Sequence, residues 1–449
     1  MDLELKVQNF GPIDEATIQV GRFTVFAGPN NTGKTFVAKM LYSMLGTINA
    51  NPALVFFEAH VGLIYRVLEL NRDFGATGER AAKAGIRRAL QKIDSILREA
   101  ASSRVSQNEL DVLKSVQPEI IAEIEAMKTH FQILKNNIER EEDRSEILQL
   151  HGYIKDNIDN LDETFRNEEL AIYAGWALKF SQNVSGNFQV SDISQLKGVG
   201  DSPLSFSIQG LGSLEEANQF NFILDPQIVQ NPQSFPKAFY LESQLYWKLK
   251  NPLESIKLDS SPSSWASLNG VPSYFYDVVV ALRRQRIDHP FAEIHKGLHN
   301  AIGGKIVLSE AGDLEFQTSG GAFPLSLTSA GVANMGMLAL LIERGALEPG
   351  SFLFIDEPEA NLHPAWQVEM AEFLFELARQ GVHVVISTHS MTILKWLEVH
   401  LKKEPENRAL VRLNKFPPDA EWNDDMDAVM AEAKQSLTQP FSDLYITGL

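Results

Sequence analysis

The sequence contains no cysteine. That absence excludes a disulfide, a zinc hook and a cysteine nucleophile together. It also lacks any apolar run near the ~18 residues that a membrane span needs, so no membrane partner is expected. Met1-Asp2-Leu3-Glu4 lacks the basic start of a signal peptide, and the expected localisation is cytoplasmic. Positive charge is scarce: 40 Lys and Arg face 58 Asp and Glu, for a formal net charge of −18. That balance disfavours a surface broadly dedicated to DNA, although a local basic stripe is still compatible with it. The remaining bulk numbers are ordinary, with 44% hydrophobic and 22% charged residues in a chain of 449. Such a chain folds with a large core and has room for two or three domains.

Against this background, Gly28–Thr35 stands out, reading Gly-Pro-Asn-Asn-Thr-Gly-Lys-Thr. The spacing G-x-x-x-x-G-K-T is that of a P-loop. A triphosphate is a dense anion and needs many N–H donors that approach closely. Gly28 and Gly33 lack a Cβ and let the loop turn its amides inward. Lys34 would reach the β- and γ-phosphates, and Thr35 would place a hydroxyl on Mg2+. The context agrees: Phe23–Ala27 reads as a buried strand and Thr35–Leu45 as a helix whose N-terminus faces the phosphates.

Upstream, Leu3–Val7 and Ala16–Val20 read as two strands joined at Gly11-Pro12. Downstream, from about residue 55 to 180, helical periodicity takes over. Ile120, Ile124, Met127, Phe131, Leu134 and Ile138 form one stripe; Ile147, Leu150, Ile154, Ile158, Leu161 and Phe165 form another. The phase breaks around Glu141–Ser145, which predicts two helices, with Pro118 in the first turn of the earlier one. A helical hairpin or small bundle with packing stripes is the simplest account. Residues 181–235 read as loops and short strands, and Ala238–Leu241 as a strand leading into a candidate sensor loop, Glu242-Ser243-Gln244. Arg283, Arg284 and Arg286 read as a solvated helix face. His295, His299 and His363 read as ordinary polar residues without ligand spacing.

The C-terminal half completes the picture. Ser351–Ile355 is an apolar run that ends in Asp356-Glu357, so a buried strand delivers an acidic pair to its edge. Asp356 would hold Mg2+, and Glu357 would polarise the attacking water. His383–Ser387 is a second buried strand, ending in Thr388-His389-Ser390. On the residues alone, His389 fits a γ-phosphate contact and a plain helix N-cap region equally. Thr328-Ser329-Ala330-Gly331 opens an apolar helix and suits either a phosphate contact or an empty N-cap.

The order P-loop, long insertion, Ser-Ala-Gly turn, acidic strand, histidine strand resembles the ATP-binding-cassette-type ATPases of the chromosome-maintenance and RecF group. Within it, the chain is most similar to the overcoming-lysogenization-defect (OLD) class. Phe354–Pro364 resembles that class's Walker B and D-loop, Val385–Ser390 its switch-histidine loop, and Asn9-Phe10-Gly11-Pro12-Ile13 with Asn30-Asn31 its N-terminal pattern. The signature departs from Leu-Ser-Gly-Gly-Gln, so only Ser329 and Gly331 carry over. Only about 50 residues follow the switch strand, and residues 419–432 hold six acids and no base, which leaves no room there for the Toprim nuclease domain of OLD proteins.

The resemblance implies an α/β fold: a two-lobed ABC-type P-loop NTPase head with a helical insertion between Walker A and the signature/Walker B half. The implied divisions are a β lobe with the P-loop at 1–54, a helical insertion at 55–180 and a connecting α/β segment at 181–300. The C-terminal ATPase lobe would occupy 301–416 and an acidic tail 417–449. It further implies ATP held by Gly28, Asn30, Asn31, Gly33, Lys34, Thr35, Ser329 and Gly331. Mg2+ would lie on Thr35 and Asp356, and catalysis would rest on Glu357 and His389. The implied assembly is a homodimer or higher homo-oligomer through the ATPase heads. Stand-alone heads of this sort resemble the ATPase subunits of anti-phage systems such as PARIS, Septu and the retron-associated pairs. The implied function is an ATP-hydrolysing switch for a separate, nuclease- or toxin-like effector protein. The alternative is a RecF-like repair ATPase that binds DNA directly; nucleic acid is compatible but not favoured as sole partner.

Overall fold

Alternation of apolar residues builds the first sheet. In β1 (Leu3–Phe10) and β2 (Ile13–Val20), Leu3, Leu5, Val7, Ala16, Ile18 and Val20 are buried, the period of a sheet covered on one face. The two strands pair antiparallel from Leu3 with Val20 to Phe10 with Ile13. The other edge of β1 takes β4 (Ser205–Ile208), followed by β5 (Gly212–Glu216) and β6 (Phe220–Leu224). The computed structural model describes residues 2–70, 77–102, 109–138, 145–216, 220–225, 228, 237–242, 247, 250, 270–283, 290–309 and 312–447.

The second five-stranded sheet comprises β3 (Phe23–Ala27), β7 (Ala238–Leu241), β11 (Phe352–Asp356), β12 (His383–Thr388) and β13 (Val411–Lys415), ordered β13-β3-β12-β11-β7. All its pairings are parallel. Every residue of β3 and β12 is buried, because a parallel sheet is covered on both faces. Phe26, Tyr240, Phe352, Phe354 and Val385 enter the core shared with the antiparallel sheet. Their neighbours Val25, Leu353, Ile355, Val384 and Ile386 enter the core on the opposite face. A small antiparallel sheet, β8 (Lys305–Leu308), β9 (Leu314–Thr318) and β10 (Gly321–Pro324), lies beyond.

Five helices follow the P-loop helix α1 (Lys34–Ile48). They are α2 (Pro52–Leu70), α3 (Thr77–Ser102), α4 (Glu109–Ile138), α5 (Ser145–Phe165) and α6 (Glu168–Phe188). Ile120, Ile124, Met127, Phe131 and Leu134 are buried on α4, and Ile154, Ile158, Leu161 and Phe165 on α5. The side chains of Ile138, Ile147 and Leu150 lie outside the described residues. One expectation is corrected: α4 starts at Glu109 and runs through Pro118. Val112 and Leu113 are buried upstream, and that packing carries the helix past a residue that forgoes one backbone hydrogen bond. The last of these helices, α6, is fastened to α1 by side-chain amides. Asn183 Nδ2 donates to Ser43 O at 3.2 Å and Thr47 Oγ1 at 3.1 Å, and Asn187 Nδ2 donates to Ser43 Oγ at 3.0 Å.

The opposite face of the parallel sheet is covered by α7 (Ser273–Leu282), α8 (Ala292–Ile302), α9 (Ala330–Glu343), α10 (Pro364–Arg379) and α11 (Met391–Lys403). The acidic C-terminal segment carries a packed helix, α12 (Met426–Thr447), with Val429, Met430 and Ala433 buried. Its acids meet bases elsewhere: Arg408 pairs with Asp427 at 2.7 Å and Lys415 with Glu432 at 2.6 Å. Of the arginine cluster, Arg284 and Arg286 lie outside the described residues.

Two helical glycines give opposite expectations. A Cβ on Gly175 of α6 would lie 1.9 Å from the Pro52 carbonyl oxygen, whereas one on Gly152 of α5 meets nothing within 4 Å. Gly175→Ala should therefore destabilise by about 1–3 kcal/mol, and Gly152→Ala should stabilise by about 0.5–1 kcal/mol. Urea unfolding of both variants checks the pair, and equal effects of one sign would contradict this packing.

Candidate functional site

Strand register assembles the site. Thr388 at the end of β12 pairs with Ala27 at the end of β3, and Ser387 pairs with Asp356 at the end of β11. Three chain segments thus leave the sheet at one edge, the C-terminal edge where open α/β sheets bind ligands.

The loop after β3 caps α1. Gly33, the N-cap, has φ 99°, in the left-handed region that favours glycine. A Cβ on Gly28 would lie 2.1 Å from the Phe416 carbonyl oxygen, so no larger residue fits there. Asn30 and Asn31 are exposed on the loop, and Asn31 has φ 63°, which asparagine tolerates. Lys34 is buried, and its Nζ donates to Gly28 O at 2.8 Å and Pro29 O at 2.5 Å. Burial lowers the pKa of its ammonium, while Asp356, Glu357 and Glu359 oppose that shift.

Thr35 Oγ1 donates to Asp356 Oδ2 at 2.8 Å. The hydroxyl and the carboxylate expected to share Mg2+ are therefore already in contact, a donor set that suits a hard cation. Burial pushes the Asp356 carboxyl up to about 6; Thr35, Lys39 and Ser387 oppose the shift, and Glu242 adds to it. Glu242 follows β7 beside the acidic strand and pairs with Lys39 at 3.2 Å. It also accepts a hydrogen bond from Tyr274 Oη. Ser243 and Gln244 of the candidate sensor loop lie outside the described residues.

Glu357 adopts φ 53°, and its N–H donates to Ser387 O at 2.9 Å. This turn brings its side chain beside the histidine strand, with His389 Nδ1 3.1 Å from Glu357 Oε1. Both side chains are about two-fifths exposed, at 42% and 41%, and so are open to a substrate. Glu359 is a residue that motif reading left without a role. It is 5% exposed, and its Oε1 accepts from Thr388 Oγ1 at 2.7 Å and His389 N at 2.9 Å. A buried carboxylate from the acidic strand's turn thus fixes the backbone that carries His389. The Asp-Glu-Pro-Glu run displays Glu359, but its partners are 29 and 30 residues away.

The signature pair is placed elsewhere. Ser329 is the N-cap of α9, is exposed, and its Oγ accepts from Val332 N at 3.3 Å. Gly331 is buried; a Cβ there would lie 2.8 Å from Leu362 Cδ2 and 3.0 Å from Asn361 O. It lets α9 press against the turn after the acidic strand. The Asn9–Ile13 pattern acts from behind the P-loop: Phe10 packs edge-on against Phe36 at 5.5 Å, and Ile13 lies where a Cβ on Gly33 would be.

The strand order, the glycine loop and the acidic strand define a mixed α/β fold with a P-loop motif at one edge of a parallel sheet. Residues 1–175 match the family profile described as AAA ATPase domain. Residues 240–395 match the one described as AAA domain, putative AbiEii toxin, Type IV TA system. The chain is thus similar to AAA ATPase domains over both halves of the site. No curated protein matches it. Among solved structures it aligns with an Smc head bound to the C-winged helix domain of ScpA, at 12% identity, 88% coverage of this chain and 90% of that chain, with TM-score 0.36. It also aligns with a Pyrococcus furiosus Smc head with an extended coiled coil, bound to the C-terminal domain of ScpA, at 11% identity, 91% and 100% coverage, and TM-score 0.30. No described helix is long and apolar enough to cross a membrane.

Asp356 makes the site sensitive to pH. As the proposed cation ligand it must be ionised, so metal-dependent nucleotide binding should weaken as pH falls through about 6. For the protein alone the sign is opposite: a raised carboxyl contributes stability below its unfolded pKa and loses it as pH rises through about 6. Calorimetric titration of nucleotide with Mg2+ or with chelator, at about pH 8 and about pH 5, checks this. The Mg2+-dependent gain should be present at the higher pH and largely absent at the lower; an equal gain at both would contradict it.

Proposed function

We propose that this chain binds and hydrolyses ATP, pairs with a second copy through its heads when ATP is bound, and thereby controls a separate effector protein. The observation that carries this reading is the convergence of Lys34, Thr35, Asp356, Glu357 and His389 at one sheet edge. In this reading the amides of Gly28–Thr35 and the Lys34 ammonium hold the triphosphate. Thr35 and Asp356 hold Mg2+, which, when bound, neutralises phosphate charge. Glu357 takes a proton from the attacking water. His389 shares a contact with Glu357 and is anchored by Glu359, which positions it to report the γ-phosphate. Ser329 serves the nucleotide of the partner copy. Its surroundings support that role, because exposed Ser329 is flanked by exposed Leu327 and Phe323, at 75% and 45%. Such apolar groups around a polar anchor are what a second surface covers.

Similarity to a profile described as a putative AbiEii toxin of a Type IV TA system supports a defence or toxin–antitoxin setting. The net charge of −18 favours a protein effector with a basic contact face over DNA as sole partner. The helical insertion, fastened to α1, is the surface on which nucleotide state would be read.

Glu357→Gln keeps the shape and removes the base. ATP binding should survive while turnover falls about 10²–10⁴-fold; Lys34→Ala should lose binding itself. From the native host, Glu357→Gln should retain a stoichiometric partner that Lys34→Ala does not. Wild-type turnover in Glu357→Gln would overturn the assignment, and co-purification with nucleic acid alone would favour direct DNA binding.

A further inference from the structure

Of the three histidines read as ordinary polar residues, His363 fits that reading: its Nδ1 caps α10 by accepting from Ala365 N at 3.3 Å. His295 and His299 do not. They stand four residues apart on α8, which puts both imidazoles on one helix face. That face packs against α9, whose last residue is Glu343. One ligand atom from each of His295, His299 and Glu343 lies within 4.8 Å of the other two. His295 Nε2 is 3.7 Å from Glu343 Oε2, and the two imidazole centroids are 4.1 Å apart. His299 Nε2 is buried without a hydrogen-bond partner. A buried nitrogen left that way costs free energy that a bound cation would offset.

We propose that His295, His299 and Glu343 bind a divalent transition metal of the zinc class, at a site separate from the nucleotide edge. Two imidazoles and one carboxylate form a borderline donor set, which selects Zn2+ or Co2+ over Mg2+ or Ca2+. Three protein ligands leave a position for water. Glu343 is 37% exposed, which provides a path for the ion. Lys305 and Arg344 bring positive charge close to the cluster, so affinity falls below that of a four-ligand structural site. The consequence is mechanical. Glu343 closes the end of α9 opposite Ser329, one helix length of about 21 Å away. The bound ion ties that end to α8 and stiffens the support of the Ser329 turn.

Full-length protein is stripped with chelator, titrated with Co2+ alone and read by visible absorption, since low-coordinate Co2+ absorbs far more strongly than octahedral Co2+. Wild type should take up about one equivalent in a low-coordinate site, with the band displaced by Zn2+. His389→Ala should keep that band, because His389 with Glu357 and Glu359 forms a separate histidine–carboxylate grouping at the P-loop edge. Glu343→Gln, which preserves side-chain shape, and His299→Ala should each weaken binding by at least about tenfold. Zn2+ should raise the unfolding temperature of wild type but not of Glu343→Gln. No band in wild type, an unchanged band in Glu343→Gln and His299→Ala, or loss of the band in His389→Ala would overturn the site.

Discussion

Parallel registration of β3, β12 and β11 is the constraint on which the site depends. Val25, Ile386 and Ile355 align across the three strands, and that alignment fixes where each chain leaves the sheet. Gly28, His389 and Glu357 follow immediately, and backbone contacts lock the exits together. Gly28 N donates to Thr388 O at 3.3 Å and Glu357 N to Ser387 O at 2.9 Å. A slip of one residue would turn the apolar side chains of a strand to the wrong face and move its chemistry by a full step. Burial on both faces makes such a slip costly, so the core that stabilises the fold also sets the distances at the site.

The same burial charges the site. Asp356 sits at the end of an otherwise apolar strand and is driven up to about 6 by desolvation. Lys34 is driven the other way for the same reason. Each is satisfied locally, by the Thr35 hydroxyl and by the loop carbonyls, and each gains from a partner of opposite sign. A polyanion with its cation supplies both signs together. The rest of the fold holds this arrangement from behind, through Phe10, Phe36 and Ile13 under the loop and the Asn183 and Asn187 amides on α1.

Local motifs were the legible part of the sequence. The P-loop, the strand ending at Asp356-Glu357 and the strand ending at His389 are each contiguous, and their apolar runs announce buried strands. What could not be read depends on partners far along the chain. β4 pairs with β1 across roughly 200 residues, and nothing in Ser205–Ile208 names its neighbour. Glu359 acquires a role only when Thr388 arrives beside it. His295 and His299 carry helical spacing, but their third partner, Glu343, comes from another helix. Pro118 misled for a different reason: proline marks a helix start on average, and buried packing upstream overrode that preference.

In the proposed function, nucleotide held at this edge closes two copies across Ser329. Sedimentation velocity of Glu357→Gln protein with Mg2+ and ATP, with ADP, and without nucleotide tests it directly. A dimer should form with ATP alone and be abolished when Ser329→Arg is added to the same protein. One sedimentation coefficient under all three conditions would contradict it.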